Sequence, residues 1–175
     1  MANKFLMVIT LLISVIFYSN ANQCIDGNCI NGKGTYLYSN GNKYIGEWKN
    51  GKLNGKGIFY YNSGTWTGSR YEGDFKDNKL DGKGIFFYAN GDKYEGEFKD
   101  NKLNGFGIFR YNNGNKYEGQ WENNKKNGQG TFSFSNGSKY EGEFKNDLFD
   151  GFGTFTYANG KILKGKWKRN KCIEQ

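Results

Sequence analysis

Two kinds of recurring residue could do chemistry in this chain. Paired carboxylates such as Glu95 and Glu97 could serve general acid–base catalysis, and Gly-Lys-Gly runs such as Gly82-Lys83-Gly84 could cradle a phosphate. Both recur along the chain, as structural elements do and a single active site does not. A phosphate loop also needs a strand-to-helix setting. Carboxylates repeated along an exposed polar face have nothing to raise their pKa toward catalytic duty. The chain has no histidine, the usual base beside a Ser or Cys nucleophile and the commonest metal ligand, so a hydrolase triad or a zinc site would have to be built without it. Of the three cysteines, Cys24 and Cys29 are close enough in sequence to staple the first turn. Cys172 stands at the far end, where an odd thiol in an exported chain raises a disulfide-linked homodimer. No catalytic group, cofactor or metal is expected.

The elements that position these residues follow from an aromatic strand core, plainest as Tyr94-Glu95-Gly96-Glu97-Phe98. Counterparts begin at Tyr44, Tyr71, Tyr117, Tyr140 and, in degenerate form, Leu163, with successive starts 27, 23, 23, 23 and 23 residues apart. The chain is therefore an array of one small unit. A second stretch in each unit alternates with period two: Gly82, Gly84, Phe86 and Tyr88 share one parity, while the other holds Ile, Thr and polar residues. With 15 Phe, 13 Tyr, 4 Trp, 27 Gly and no Pro, the composition fits half-buried pleated strands joined by tight turns.

These signals predict an all-β fold, an elongated single-layer antiparallel meander of tandem β-hairpin repeats, preceded by a short N-terminal hydrophobic signal helix. About 12 strands would span on the order of 55 Å at ~4.8 Å per strand. Positive-φ hairpin turns are expected at Asn40-Gly41, Asn90-Gly91, Asn113-Gly114, Asn136-Gly137 and Asn159-Gly160. One unit departs, with four extra residues within Thr65–Arg70 that lengthen a loop without shifting strand register. Asn136-Gly137-Ser138 also reads as a glycosylation acceptor in a turn.

Residues 1–21 differ from the rest. Lys4 precedes an apolar run from Phe5 to Phe17, and Ser19-Asn20-Ala21 supplies small residues before an expected cleavage after Ala21. A retained anchor is the competing reading, but the run is shorter than the ~20 residues needed to span a bilayer. A lipoprotein site at Cys24 fits poorly, because Gln23 is bulky and polar. The expected organisation is a signal peptide over 1–21 and a repeat array of about six hairpin units over 22–175, secreted or exported and free to associate with a membrane.

Tyr-x-Gly-x-Trp/Phe followed by Gly-x-Gly resembles the MORN (membrane occupation and recognition nexus) repeat. Tyr44/Gly46/Trp48 with Gly55 and Gly57 fits closely, as do Tyr71/Gly73/Phe75, Tyr94/Gly96/Phe98, Tyr117/Gly119/Trp121 and Tyr140/Gly142/Phe144. A leading half unit near Gly32 and Gly34 and a trailing one at Leu163/Gly165/Trp167 look like array ends. The resemblance implies a twisted ribbon of β-hairpins acting as a scaffold or adaptor, with a protein partner along its groove and reported contacts to acidic phospholipids. Export is not the family's usual setting.

Three functional classes follow. A scaffold would use Tyr44, Trp48, Trp66, Tyr71, Tyr94, Tyr117, Trp121 and Tyr140 against a protein partner, unless these rings are spent on the core. Trp66 stands out because it lies in the insertion. Binding to anionic membrane lipids would use the row Lys43, Arg70, Lys93, Lys116 and Lys139, part of a formal charge of +8. Against that row stand Glu72, Glu95, Glu118 and Glu141, two residues further on. A glycan-binding module is the third class, since aromatic–glycine repeats on exported proteins also resemble choline- and wall-binding modules. Nucleic acid is not expected, because basic and acidic residues are interleaved.

Overall fold

A computed structural model describes residues 22–174. The expected signal segment, residues 1–21, lies outside the described residues. The described residues form one sheet of fourteen antiparallel strands, each paired with its sequence neighbours. The first six are β1 (Gln23–Gly27), β2 (Gly32–Leu37), β3 (Lys43–Lys49), β4 (Lys52–Tyr61), β5 (Ser69–Lys76) and β6 (Lys79–Phe87). The middle strands are β7 (Lys93–Lys99), β8 (Lys102–Arg110), β9 (Lys116–Glu122) and β10 (Lys125–Ser133). The last are β11 (Lys139–Lys145), β12 (Leu148–Thr156), β13 (Ile162–Lys168) and β14 (Lys171–Glu174). The expected meander is therefore observed with fourteen strands in place of twelve. Short strands at the two ends, β1 and β14, account for the difference, and the sheet is about 60 Å long at ~4.8 Å per strand.

The repeat is built around one tyrosine and two glycines. Tyr44, Tyr71, Tyr94, Tyr117 and Tyr140 are 0% exposed. Each ring lies flat over its own strand, and its hydroxyl donates to the carbonyl of the residue three further on: Glu47, Asp74, Glu97, Gln120 and Glu143, at 2.9–3.1 Å. Gly96 and Gly107 are paired across the strands beneath Tyr94, and a Cβ on either would collide with its phenol. The first glycine of each Gly-x-Gly has another reason. Gly105 sits in a β-bulge with φ +89°, where an L side chain is strained. The carboxylate or amide opposite the bulge caps it: Asp74 accepts from the Lys83 amide (2.9 Å), Gln120 from Gln129 (2.7 Å) and Glu143 from Phe152 (3.0 Å).

Repeats are joined by aromatic edges and by side-chain clamps. Tyr44 meets Phe75 edge-on at 5.0 Å, Tyr71 meets Phe98 at 5.0 Å, Tyr94 meets Trp121 at 5.5 Å, Tyr117 meets Phe144 at 4.9 Å and Tyr140 meets Trp167 at 5.3 Å. Such pairs are worth about 0.5–1.5 kcal/mol each beyond area burial. Along one edge, Asn78, Asn101 and Asn124 accept from the amides of Leu53, Leu80 and Leu103 in the preceding repeat, each at 2.8 Å. Along the other, buried Ser69 and Ser138 accept from Ala89 and Ala158. Ser138 of the glycosylation sequence is thus an internal clamp, and Asn136 accepts from its amide at 2.9 Å.

The expected turns at Asn40-Gly41 and its counterparts are observed joining β2 to β3 and the equivalent pairs, and a second set closes the hairpins between them. Turns with two consecutive positive-φ residues are Asn50-Gly51, Asp77-Asn78, Asp100-Asn101, Asn123-Asn124, Asn146-Asp147 and Arg169-Asn170. At Asn40-Gly41 and its counterparts only the glycine has positive φ, in a wider loop closed by Gly41 N–H donating to Tyr38 C=O at 2.9 Å. Asn and Asp tolerate the left-handed region through local hydrogen bonding, so the two-residue turns need no glycine. The insertion behaves as expected: it stays in the loop before β5, and Phe59 still pairs with Tyr71.

Two outcomes follow. Gly107→Ala should lower stability by about 3 kcal/mol, because a close-packed site has no room for the added methyl. Gly51→Ala, with nothing within 4 Å of its would-be Cβ, should cost about 1 kcal/mol for its positive φ alone. Urea midpoints decide this, and equal losses would remove the tyrosine–glycine contact as the cause. Burial also raises every repeat tyrosine hydroxyl, that of Tyr140 to about 12 and those of Tyr44, Tyr71, Tyr94 and Tyr117 further still. A raised folded pKa means the stabilisation is complete below the unfolded value near 10 and is lost as pH rises through the folded value. Tyrosinate absorbance from these five residues should therefore appear together with loss of β circular dichroism as pH rises from about 10 through about 12. Their smooth ionisation near pH 10 in a folded array would contradict the packing.

Candidate binding trough

Alternation along each strand gives the sheet two unlike faces. On one face the ring floor is flanked by the strand-end residues Tyr61, Tyr88 and Tyr111 on one side and by Leu80 and Leu103 on the other. Between them runs an open trough of about 600 Å³, lined also by Trp66, Phe86, Phe109, Asn101, Asn124 and Asp147. Burial raises the Tyr61, Tyr88 and Tyr111 hydroxyls from the ordinary value near 10 to about 12 each. Asp147 and Asp92 add to the rise at Tyr111.

The structure separates the aromatic candidates sharply. Tyr44, Tyr71, Tyr94, Tyr117 and Tyr140 have no exposed surface, and Trp48 and Trp121 are buried as well. The rings of the five tyrosines and of Trp48 fill the one-layer core, because a single sheet has no second layer to cover its apolar face, while Trp121, though mostly buried, lines the trough floor. Their contribution is to position the outer rings. Trp66 differs, being 48% exposed, with its ring against Phe86 at 5.6 Å and Tyr88 at 5.9 Å. The insertion thus adds an aromatic wall to the trough.

The basic row lies on the opposite face and is largely neutralised within its own strands. Arg70 pairs with Glu72 (2.6 Å), Lys93 with Glu95 (3.0 Å), Lys116 with Glu118 (2.9 Å) and Lys139 with Glu141 (2.8 Å). Lys43, followed by Ile45 where the others have Glu, sits over the Tyr60 ring at 4.8 Å. Exposed pairs of this kind contribute little stability, about 0–1 kcal/mol each, but they remove the row as a band of unopposed charge.

At the array ends, Cys24 and Cys29 are joined by a disulfide within the chain. Cys172 is free and partly buried, paired across β13–β14 with Trp167 at the position held elsewhere by Leu53, Leu80 and Leu103. Its surroundings are those of a core residue. Among the described residues, no group of three or more His, Cys, Asp or Glu could hold a metal ion.

Sequence reasoning passed over the trough walls and one substitution within them. At the position of Leu53, Leu80 and Leu103 the fourth repeat has Lys126, and at the position of Asn78, Asn101 and Asn124 the next turn has Asp147. Asp147 accepts from the Lys126 amide at 2.9 Å and lies 3.8 Å from its ammonium. That ammonium also faces the Phe132, Tyr117 and Tyr111 rings at 5.2, 5.8 and 5.9 Å. Burial pulls its pKa down while Asp147 opposes the shift. Aligning the repeats at Leu80, Leu103 and Lys126 would have exposed the paired change.

The repeat profile described as "MORN repeat" matches residues 30–43, 44–66, 71–93, 94–116, 117–139 and 140–162. A sequence search of curated proteins finds no match. Among solved structures, the fold resembles the SAS-4 (dCPAP) TCP domain of Drosophila melanogaster, solved in complex with a proline-rich motif of Ana2 (dSTIL). That match has 16% identity and a TM-score of 0.51, and it covers 95% of this chain and 84% of that one. The TCP10c domain of Drosophila melanogaster Sas-4 is also similar, at 16% identity and a TM-score of 0.47, over 83% of this chain and 86% of that one. The profile matches, falling in register on the tyrosine–glycine units, place the chain in the MORN repeat family.

Proposed function

We propose that this protein is a non-catalytic scaffold that holds an extended segment of a protein partner in the aromatic trough. The observation that carries the reading is the open trough itself: about 600 Å³ of groove lined by Trp66, Tyr61, Tyr88 and Tyr111, on a face whose inner rings are already buried. Exposed Trp and Tyr dominate interface energetics, because they bring large area at low entropic cost. The SAS-4 TCP domain, similar in fold, was solved with a proline-rich motif, which makes such a segment the first ligand class to consider. Residues 1–21 would direct the chain to an exported compartment, where the Cys24–Cys29 bond persists.

A random peptide library, panned against the chain with the Trp66→Ala variant as counter-selection, tests this reading. Selected peptides should bind the variant at least tenfold more weakly, while its urea midpoint stays within error because Trp66 lies outside the core. Failure to enrich any peptide, or enrichment indifferent to Trp66, would overturn the reading.

Charge distribution favours a second, separable role at an anionic membrane. Residues 161–174 carry six basic residues and one acidic, a net +5, whereas residues 22–160 carry 18 and 16. Lys164 and Lys166 stand where the outward faces of the earlier repeats carry Glu or Asp, apart from Ile45 and Gln120, and they form no ion pair among the described residues. Phe152 (67% exposed) and Ile162 (62%) flank them. Each lysine near an anionic surface is worth about 1 kcal/mol. Sedimentation with anionic liposomes should fall at high salt and fall equally in Lys164→Glu/Lys166→Glu, while the Lys93→Gln control changes little. Equal loss in the control would return any lipid role to the strand-start row.

A further inference from the structure

The trough has a period, and that period constrains what can lie in it. Its ring rows recur once per repeat, which is two strands, or roughly 9.6 Å along the array at ~4.8 Å per strand. A polyproline II chain advances ~3.1 Å per residue and turns once every three residues, roughly 9.3 Å. A segment in that conformation, running along the array axis across the strands, would offer the same side to each successive repeat. An extended β segment at ~3.3 Å per residue alternates every two residues and would fall out of step.

The polar groups on the trough wall have the same period. The Oδ1 atoms of Asn101 and Asn124 accept from the Leu80 and Leu103 amides, an arrangement that fixes which way each side chain points. Their Nδ2 groups donate to no other group among the described residues, and both side chains line the trough. A polyproline II backbone makes no internal hydrogen bonds, so its carbonyls need outside donors. Two amide donors one repeat apart would meet carbonyls three residues apart.

The next place in that row is Asp147, which can only accept when ionised. Its side chain is 45% exposed, whereas that of Lys126 is 13% exposed, so the carboxylate is the accessible member of the pair. Asp92 stands beside Tyr88 and Tyr111, with its oxygens engaged by the Asn112 amide and the Asn90 side chain. The trough at Tyr111 thus lies between two carboxylates and one mostly buried ammonium, that of Lys126, which donates to the Tyr111 hydroxyl at 3.5 Å; two negative charges against one positive favour a further basic group.

We infer that the trough occupant is a proline-rich segment in polyproline II conformation. Its backbone is read every third residue by Asn101 and Asn124, and it carries a basic side chain in the register that faces Asp147. This deepens the scaffold reading and rests on it, but it can fail alone. The test is fluorescence anisotropy of the full chain with synthetic peptides. One has proline at every third position and an arginine one turn beyond the last; others have two- or four-residue spacing, or glutamate in place of the arginine.

Three-residue spacing should bind at least tenfold more tightly than either alternative, and the glutamate peptide at least tenfold more weakly than its parent. Asp147→Asn, which restores the residue of the other repeats, should abolish most of the arginine-over-glutamate preference and leave the spacing preference intact. Equal affinity for all spacings, or a charge preference untouched by Asp147→Asn, overturns the inference. If library-selected peptides depend on Trp66 but are not proline-rich, the inference falls and the scaffold reading stands.

Discussion

Everything in this molecule depends on a phenol laid across two glycines. In each repeat the tyrosine ring covers the point where two strands come close enough that neither can carry a Cβ, and its hydroxyl is bound to the strand's own backbone three residues later. This contact makes a one-layer sheet possible. A sheet with an uncovered apolar face is unstable in water. Here the cover is the ring of the same strand, locked from the next repeat by an edge-on Phe or Trp. Five tyrosines with no exposed surface in a chain this thin are the result.

Because the inner rings are consumed in this way, the faces divide their work. The outer face is a solvated surface on which lysine and glutamate neutralise each other along a strand. The inner face has a second tier of rings, Tyr61, Tyr88 and Tyr111, that the first tier supports without covering. Neighbour-only contacts make such an array an approximate sum of units, so a change within one repeat stays local. The four-residue insertion before β5 shows this, adding Trp66 to a wall while register is preserved on both sides.

The ends of the array are managed differently. At the start, a disulfide from Cys24 to Cys29 holds a short strand that has one neighbour among the described residues. At the finish, β14 is four residues long and sits in the most basic stretch of the chain. Short, charged edge strands resist pairing with another sheet. A symmetric link through Cys172 would also have to bring two such basic edges together, and Cys172 packs as the leucines of earlier repeats do.

The sequence by itself determined the repeat, its length, the strand alternation, the insertion and the family. All of these are local periodicities written in residue type, and each hairpin meets only its neighbours. It also contained the signals for the in-strand charge pairs, since Lys93 and Glu95 must point the same way. What the tertiary structure decided is which aromatic rings are spent and which are free. Tyr94 and Tyr88 are the same residue type with the same alternation, yet one lies flat over a glycine pair and the other stands at a trough wall. That difference depends on how close the neighbouring backbone comes, and no spacing within one strand reports it. The pairing of Lys126 with Asp147 was likewise decided across 21 residues by the stacking of one repeat on the next.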